Sequence, residues 1–99
     1  MKTLDIPQTT LLHTGRLFKV LQVRGNKGTS MPDHFCTHEA VIIVQRGSAI
    51  LRMAGLEYPL TLNRSFIIPA GENHSLTIQD DLEANIIMKI DSQIKFVNS

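Results

Sequence analysis

Ser65-Phe-Ile-Ile-Pro69-Ala-Gly71-Glu-Asn-His74-Ser-Leu76-Thr-Ile78 is the stretch whose reading decides the fold of this chain. Its first four residues form a strand-sized apolar run. That run meets proline and glycine, which end regular structure and start a turn. After the turn, His74, Leu76 and Ile78 alternate with the hydroxylic Ser75 and Thr77. A period of two is the signature of a strand with one buried face. His74 therefore shares its face with Leu76 and Ile78 and points inward among apolar side chains.

The same alternation spreads in both directions. Leu82-Glu-Ala84-Asn-Ile86-Ile-Met88-Lys-Ile90 repeats it, with Gln79-Asp80-Asp81 as a turn signal in between. Upstream, Ala49-Ile-Leu51-Arg-Met53 leads into a hairpin turn at Ala54-Gly55, and Tyr58-Pro-Leu60-Thr-Leu62 returns. Asn63-Arg64 reads as another turn, because asparagine tolerates a left-handed backbone. Ala40-Val-Ile-Ile-Val44 reads as an apolar strand ending at Gly47, and residues 16–24 as a further strand closed by Gly25-Asn-Lys-Gly28. No segment has a helical period, so no helix longer than about one turn is expected. Short strands with regular turns and no internal repeat point to an all-β sandwich or barrel. Residues 1–14 and 91–99 carry the weakest signal.

Ninety-nine residues make one domain, 1–99, with a modest core. The net charge of +1, without a Lys/Arg run, gives no reason to expect nucleic acid or an anionic membrane surface. No apolar stretch is long enough to span a bilayer, and Met1-Lys-Thr-Leu-Asp-Ile-Pro7 lacks the apolar centre of a secretory signal. Cys36 is the single cysteine and cannot close an intrachain disulfide. A cytoplasmic location is the simplest expectation. There is no nucleophile elbow, P-loop, dinucleotide fingerprint or C-x2-C pair.

Chemistry that needs imidazole can be built only where imidazoles converge. Three of the four histidines lie in two segments, His34-Phe-Cys36-Thr-His38-Glu39 and the turn leading to His74. These segments resemble the two motifs of the cupin superfamily, G-x5-H-x-H-x3,4-E-x6-G and G-x5-P-x-G-x2-H-x3-N. Gly28-x5-His34 and Gly47 match the first; Pro69-x-Gly71-x2-His74 matches the second. The resemblance covers residues 15–90, and the short spacing from Gly47 to Asn63 is similar to that of small single-domain members. It implies an antiparallel double-stranded β-helix, or jelly-roll barrel, enclosing a pocket. In most members that pocket holds a metal on the motif histidines and a carboxylate.

The departures matter. Cys36 stands at the second histidine position of the first motif, and Ala40 or Val41 at the carboxylate position. Asn63 replaces the first glycine of the second motif and Ile78 its final asparagine. His34 and His74 carry over as ligands; Cys36, as thiolate, or His38 is the candidate third. Glu39 has the opposite parity and points away, and His13 is a surface residue without a partner. A site of two imidazoles plus thiolate or a third imidazole suits zinc, iron, nickel or copper rather than magnesium or calcium. The expected pocket wall is Ile42, Leu51, Met53, Phe66, Ile68, Leu76 and Met88.

Two functions remain open at this point. One is a cupin that holds a divalent metal and a small, mostly apolar molecule, with dioxygenase-like chemistry. The other is a non-catalytic ligand-binding or sensing cupin with a degenerate site. Whether the chain is an enzyme is open, because beyond the histidines no general acid or base is apparent. A homodimer is expected because Ala40–Val44 is apolar on both faces and so needs cover on both. That cover comes from a second copy or from residues 1–14 folding back.

Overall fold

Eight β-strands and no helix build residues 7–97, the part of the chain that the computed structural model describes. They are β1 (Gln8–Thr14), β2 (Phe18–Gly25), β3 (Ser30–Cys36), β4 (Ala40–Met53), β5 (Leu56–Leu60), β6 (Ser65–Ile68), β7 (His74–Lys89) and β8 (Ile94–Phe96). Every pairing is antiparallel. The order β1-β2-β7-β3-β8 forms one path, and β4 lies against β7 while also pairing β5 and β6.

β4 and β7 are the frame. They pair from Ala40↔Met88 to Met53↔His74, so each long strand takes part in both halves of the barrel. In one half β7 pairs β2, and β4 pairs β6. In the other, β7 pairs β3, and β4 pairs β5. Inward-facing residues of both halves share one core, including Val23, Val44, Leu51, Leu60, Ile78 and Met88. Burying such side chains is the main favourable term in folding.

Two sequence expectations are corrected here. β4 does not end at Gly47 but runs through it, and Gln79-Asp80-Asp81 is a bend inside β7 rather than a turn between strands. The burial pattern shows why. In β7 the buried positions keep even parity, from Ile78 across the bend to Leu82. In β4 they switch from even (Ala40, Ile42, Val44) to odd (Ala49, Leu51, Met53). One extra residue is absorbed by the irregular pairing between Val44 and Ala49, so both halves present their apolar side to the core. Gly47 makes this crossing feasible. Its φ is +79°, and a Cβ there would lie 2.0 Å from the carbonyl oxygen of Asp81.

Ala40–Val44 presents an inner and an outer face. Ala40, Ile42 and Val44 are buried, but Val41 and Ile43 on the outer face are only half-buried. Residues 8–14 do not fold over that face; they form β1 and pair only with β2. The expected turns at Ala54-Gly55 and Asn63 are present, with positive φ at all three residues.

Candidate functional site

His34 and His74 face each other across the β3–β7 ladder as direct register partners. Local backbone features place them there. β3 is irregular between Met31 and His34, which lets the strand turn His34 inward. His74 is the first residue of β7 and also lies opposite Met53 of β4. The Pro69–Asn73 loop before it is tied to β3, because Gly71 N–H donates to the Cys36 carbonyl at 2.8 Å. Gly71 has a φ of +74°, a conformation glycine adopts without strain.

The two rings meet edge to face with centroids 4.1 Å apart, and both residues are buried. Each ring uses Nδ1 in the same way. His34 Nδ1–H donates to the Pro32 carbonyl at 2.7 Å, and His74 Nδ1–H donates to the Glu72 carbonyl at 2.9 Å. A carbonyl only accepts, so the proton of each neutral ring sits on Nδ1 and Nε2 keeps its lone pair. Burial pushes both imidazole pKa values below 6.5, and for His34 the neighbouring His74 adds to that; the carbonyl contacts and Asp33 oppose it. Near neutral pH the pair is therefore uncharged, with two lone-pair nitrogens in one buried place.

Cys36 lies on the same wall, buried, and desolvation raises its thiol pKa above 9.0. It is a thiol unless a cation draws off the proton. His38 lies elsewhere. It is half-buried in the bend after β3, and its Nδ1 is 3.1 Å from the Thr37 hydroxyl, which also accepts from Gln93 N–H. Glu39 is exposed, as its parity suggests. Among the described residues, no three histidine, cysteine or acidic side chains are grouped closely enough to hold an ion by themselves.

The cavity around the pair is small, about 20 Å³, room for about one water molecule. Of the expected wall, Ile42, Leu51, Ile68 and Leu76 line it. Met53 and Met88 are buried in the core without lining it, and Phe66 stacks on Tyr58 instead, with ring centroids 5.0 Å apart. Val23, Met31, Ile86 and Ile94 complete the wall and were not expected there. Met31 and Ile94 belong to β3 and the short β8, where alternation is too brief to be read. Val23 and Ile86 do carry a usable signal, since both sit on the apolar parity of their strands.

The cavity is thus a narrow, apolar-lined compartment whose polar edge is two neutral imidazoles and a thiol. It has space for one water-sized molecule and none for an organic substrate in this conformation.

No protein-family model matches the chain, and neither does any curated protein sequence. Solved structures do resemble it. A cupin 2 domain-containing protein from Halorhodospira halophila superposes with a TM-score of 0.83 at 16% identity, over 96% of this chain and 72% of that one. The DMSP lyase DddQ from Ruegeria pomeroyi gives 0.84 at 16% identity, over 94% of this chain and 52% of that one. A mutant of the salicylate 1,2-dioxygenase from Pseudoaminobacter salicylatoxidans gives 0.78 at 13% identity, over 89% of this chain and 30% of that one. This chain spans about half of the lyase and under a third of the dioxygenase. At these identities the likeness concerns the fold, and with strand order, apolar core and paired histidines in view, this chain has the cupin fold: an all-β, antiparallel double-stranded β-helix.

Proposed function

We propose that this protein binds one divalent transition-metal ion through Nε2 of His34 and His74, with Cys36, on the same cavity wall, drawn in as thiolate to complete a donor set that the side chains do not form by themselves. The observation that carries this reading is the matched pair of Nδ1–H bonds to Pro32 and Glu72. Fixing the tautomer through a carbonyl on one ring nitrogen is how proteins prepare the other for a metal. The donor chemistry suits the group: two neutral imidazoles and a soft sulfur favour zinc, copper, iron or nickel. His38 is disfavoured as the third donor because it is held by Thr37 away from the cavity wall.

A bound ion would supply Lewis acidity or redox chemistry toward one small co-ligand. The protein's own contribution is to hold the two nitrogens uncharged and to surround them with aliphatic side chains. The cavity volume bears on the dioxygenase-like alternative. It accommodates a water-sized co-ligand but no aromatic ring, so the reading supported best is a metal-binding cupin that handles small co-ligands. The solved lyase and dioxygenase show that this fold can carry enzymes of those kinds.

The test is metal content after purification without a metal-binding tag, followed by cobalt(II) titration of the apoprotein. Stoichiometric binding is expected, with a thiolate-to-cobalt charge-transfer band that Cys36→Ser removes. Binding at neutral pH should release about one proton per ion, from the thiol, because the imidazoles are already neutral. His34→Ala/His74→Ala should retain no metal; stoichiometric metal in that variant would show the site to be elsewhere.

A further inference from the structure

Eleven residues line the cavity around His34 and His74, and seven of them are valine, isoleucine or leucine. The other four are Met31, His34, Cys36 and His74, so every side-chain heteroatom on this wall is nitrogen or sulfur. Met31 is there because of the irregularity in β3. Its partner on β7 is Leu76, two residues from His74, whereas Met31 and His34 are three residues apart. An undisturbed strand would turn Met31 and His34 to opposite faces. The extra residue brings both inside. With Cys36, β3 thus buries three donor-bearing side chains, at 5, 5 and 2% exposure.

Softness and charge both narrow the ion that suits this wall. Zinc sites are built from thiolate, imidazole and carboxylate. A thioether beside a thiolate favours a softer ion, copper(I) above all. Charge points the same way. The thiolate supplies one negative charge; the thioether and the neutral imidazoles supply none. A monovalent ion is then neutralised in full, whereas a divalent one leaves a positive charge among aliphatic side chains, which desolvation penalises.

We propose that Met31 is a fourth donor and that the site prefers copper in its monovalent state to divalent ions. The inference rests on the reading of His34, His74 and Cys36 as donors. Met53 and Met88 are buried as well, but neither lines the cavity, although Met53 is the register partner of His74. Met53 is therefore the natural control: a thioether close in register but off the wall. Because the cavity has room for about one water molecule, a thioether drawn to the ion and a small co-ligand exclude one another.

Metal exchange on the full chain tests it. The protein is loaded with cobalt(II) and titrated, without oxygen, with copper(I) supplied as its acetonitrile complex. One equivalent of copper(I) should abolish the thiolate-to-cobalt band. Met31→Leu, a swap that nearly conserves volume, should lower the copper-for-cobalt exchange constant at least about tenfold, the scale on which even outer-shell partners act. Met53→Leu should leave it unchanged. A wild type that shows no cobalt band removes the donor reading beneath the proposal. A normal band that copper(I) does not displace, or an exchange constant that Met31→Leu leaves alone or Met53→Leu lowers equally, overturns this proposal and leaves that reading standing. Should Met31→Leu fail to fold, X-ray absorption of the copper-loaded wild type decides: two sulfur neighbours support the proposal, and a single one refutes it.

Discussion

The barrel has two polar regions, and they differ in almost every respect. Around His34 and His74 lies a cavity of about 20 Å³ walled by aliphatic side chains. At the bend where β4 and β7 cross between halves lies a groove of about 420 Å³, lined by Gln8, Thr10, Gln22, Arg24, Arg46 and Asp81 among others. The larger opening has the weaker claim to chemistry. Its groups are largely open to solvent and held by ordinary surface contacts: Glu83 accepts from the Gln22 amide at 2.7 Å and pairs with Arg46 at 3.8 Å, while Asp81 accepts from the Lys27 backbone N–H at 2.7 Å. In the smaller space the imidazole nitrogens are uncharged, desolvated and fixed. Reactivity follows from restricted solvation, not from the volume available.

The sharpest way to break this contrast is at the bend. There the groove's geometry depends on a backbone crossing that admits no side chain at Gly47. Gly47→Val adds a β-branched residue at a φ of +79° and drives its Cβ into the Asp81 carbonyl. A loss of at least about 4 kcal/mol is expected in chemical denaturation. A cost below about 1 kcal/mol would mean that the strands do not cross there as closely as described.

A smaller effect tests the imidazole pair. Both rings have pKa values below 6.5 in the folded protein, and burial, the main cause, disappears on unfolding. Between the two values the unfolded chain binds more protons than the folded one. Stability is therefore lost as pH falls through about 6.5 and goes on falling until the folded-state pKa values are passed. The urea midpoint should be lower at about pH 5 than at about pH 7.5, and His34→Gln/His74→Gln should flatten that dependence. An unchanged slope in the double variant would show that the rings are not held neutral by burial.

The smallest effect is expected in the groove itself. Arg46→Ala removes an ion pair whose arginine side chain is 66% exposed. Such pairs contribute under about 1 kcal/mol and are screened by salt. A larger loss, insensitive to salt, would mean that this region is more enclosed than the histidine cavity comparison allows.

Much of the architecture was legible in the residues, because period-two alternation and turn chemistry are local. Ala54-Gly55 and Asn63 read correctly for that reason: glycine and asparagine tolerate the positive φ that Gly55 and Asn63 adopt, and Gly55 brings Ala54 into its turn. Gly47 and Gln79-Asp80-Asp81 misled for a related one. A strand that bends across the outside of a barrel exposes polar, turn-forming residues just as a loop does, and only pairing with a distant strand separates the two cases. The inward direction of His34 and His74 followed from motif spacing and parity. The tightness of the cavity did not, because it depends on how Met31 of β3 and Ile94 of β8 pack across it. β1 was the least readable strand. Thr9-Thr10-Leu11-Leu12 has no alternation, as befits a strand whose two faces are alike in exposure.

The continuous pairing of β4 with β7 has a kinetic consequence. Because the 14 and 16 residues of these strands run through both halves, neither half can complete its sheets before the other's framework is in register. Nearly all of this order is non-local in sequence, which places folding on the order of milliseconds to seconds. Unfolding should be correspondingly all-or-none. A restraint that holds His74 against His34 would then slow the separation of Phe18 from Lys89, at the other end of the same strand.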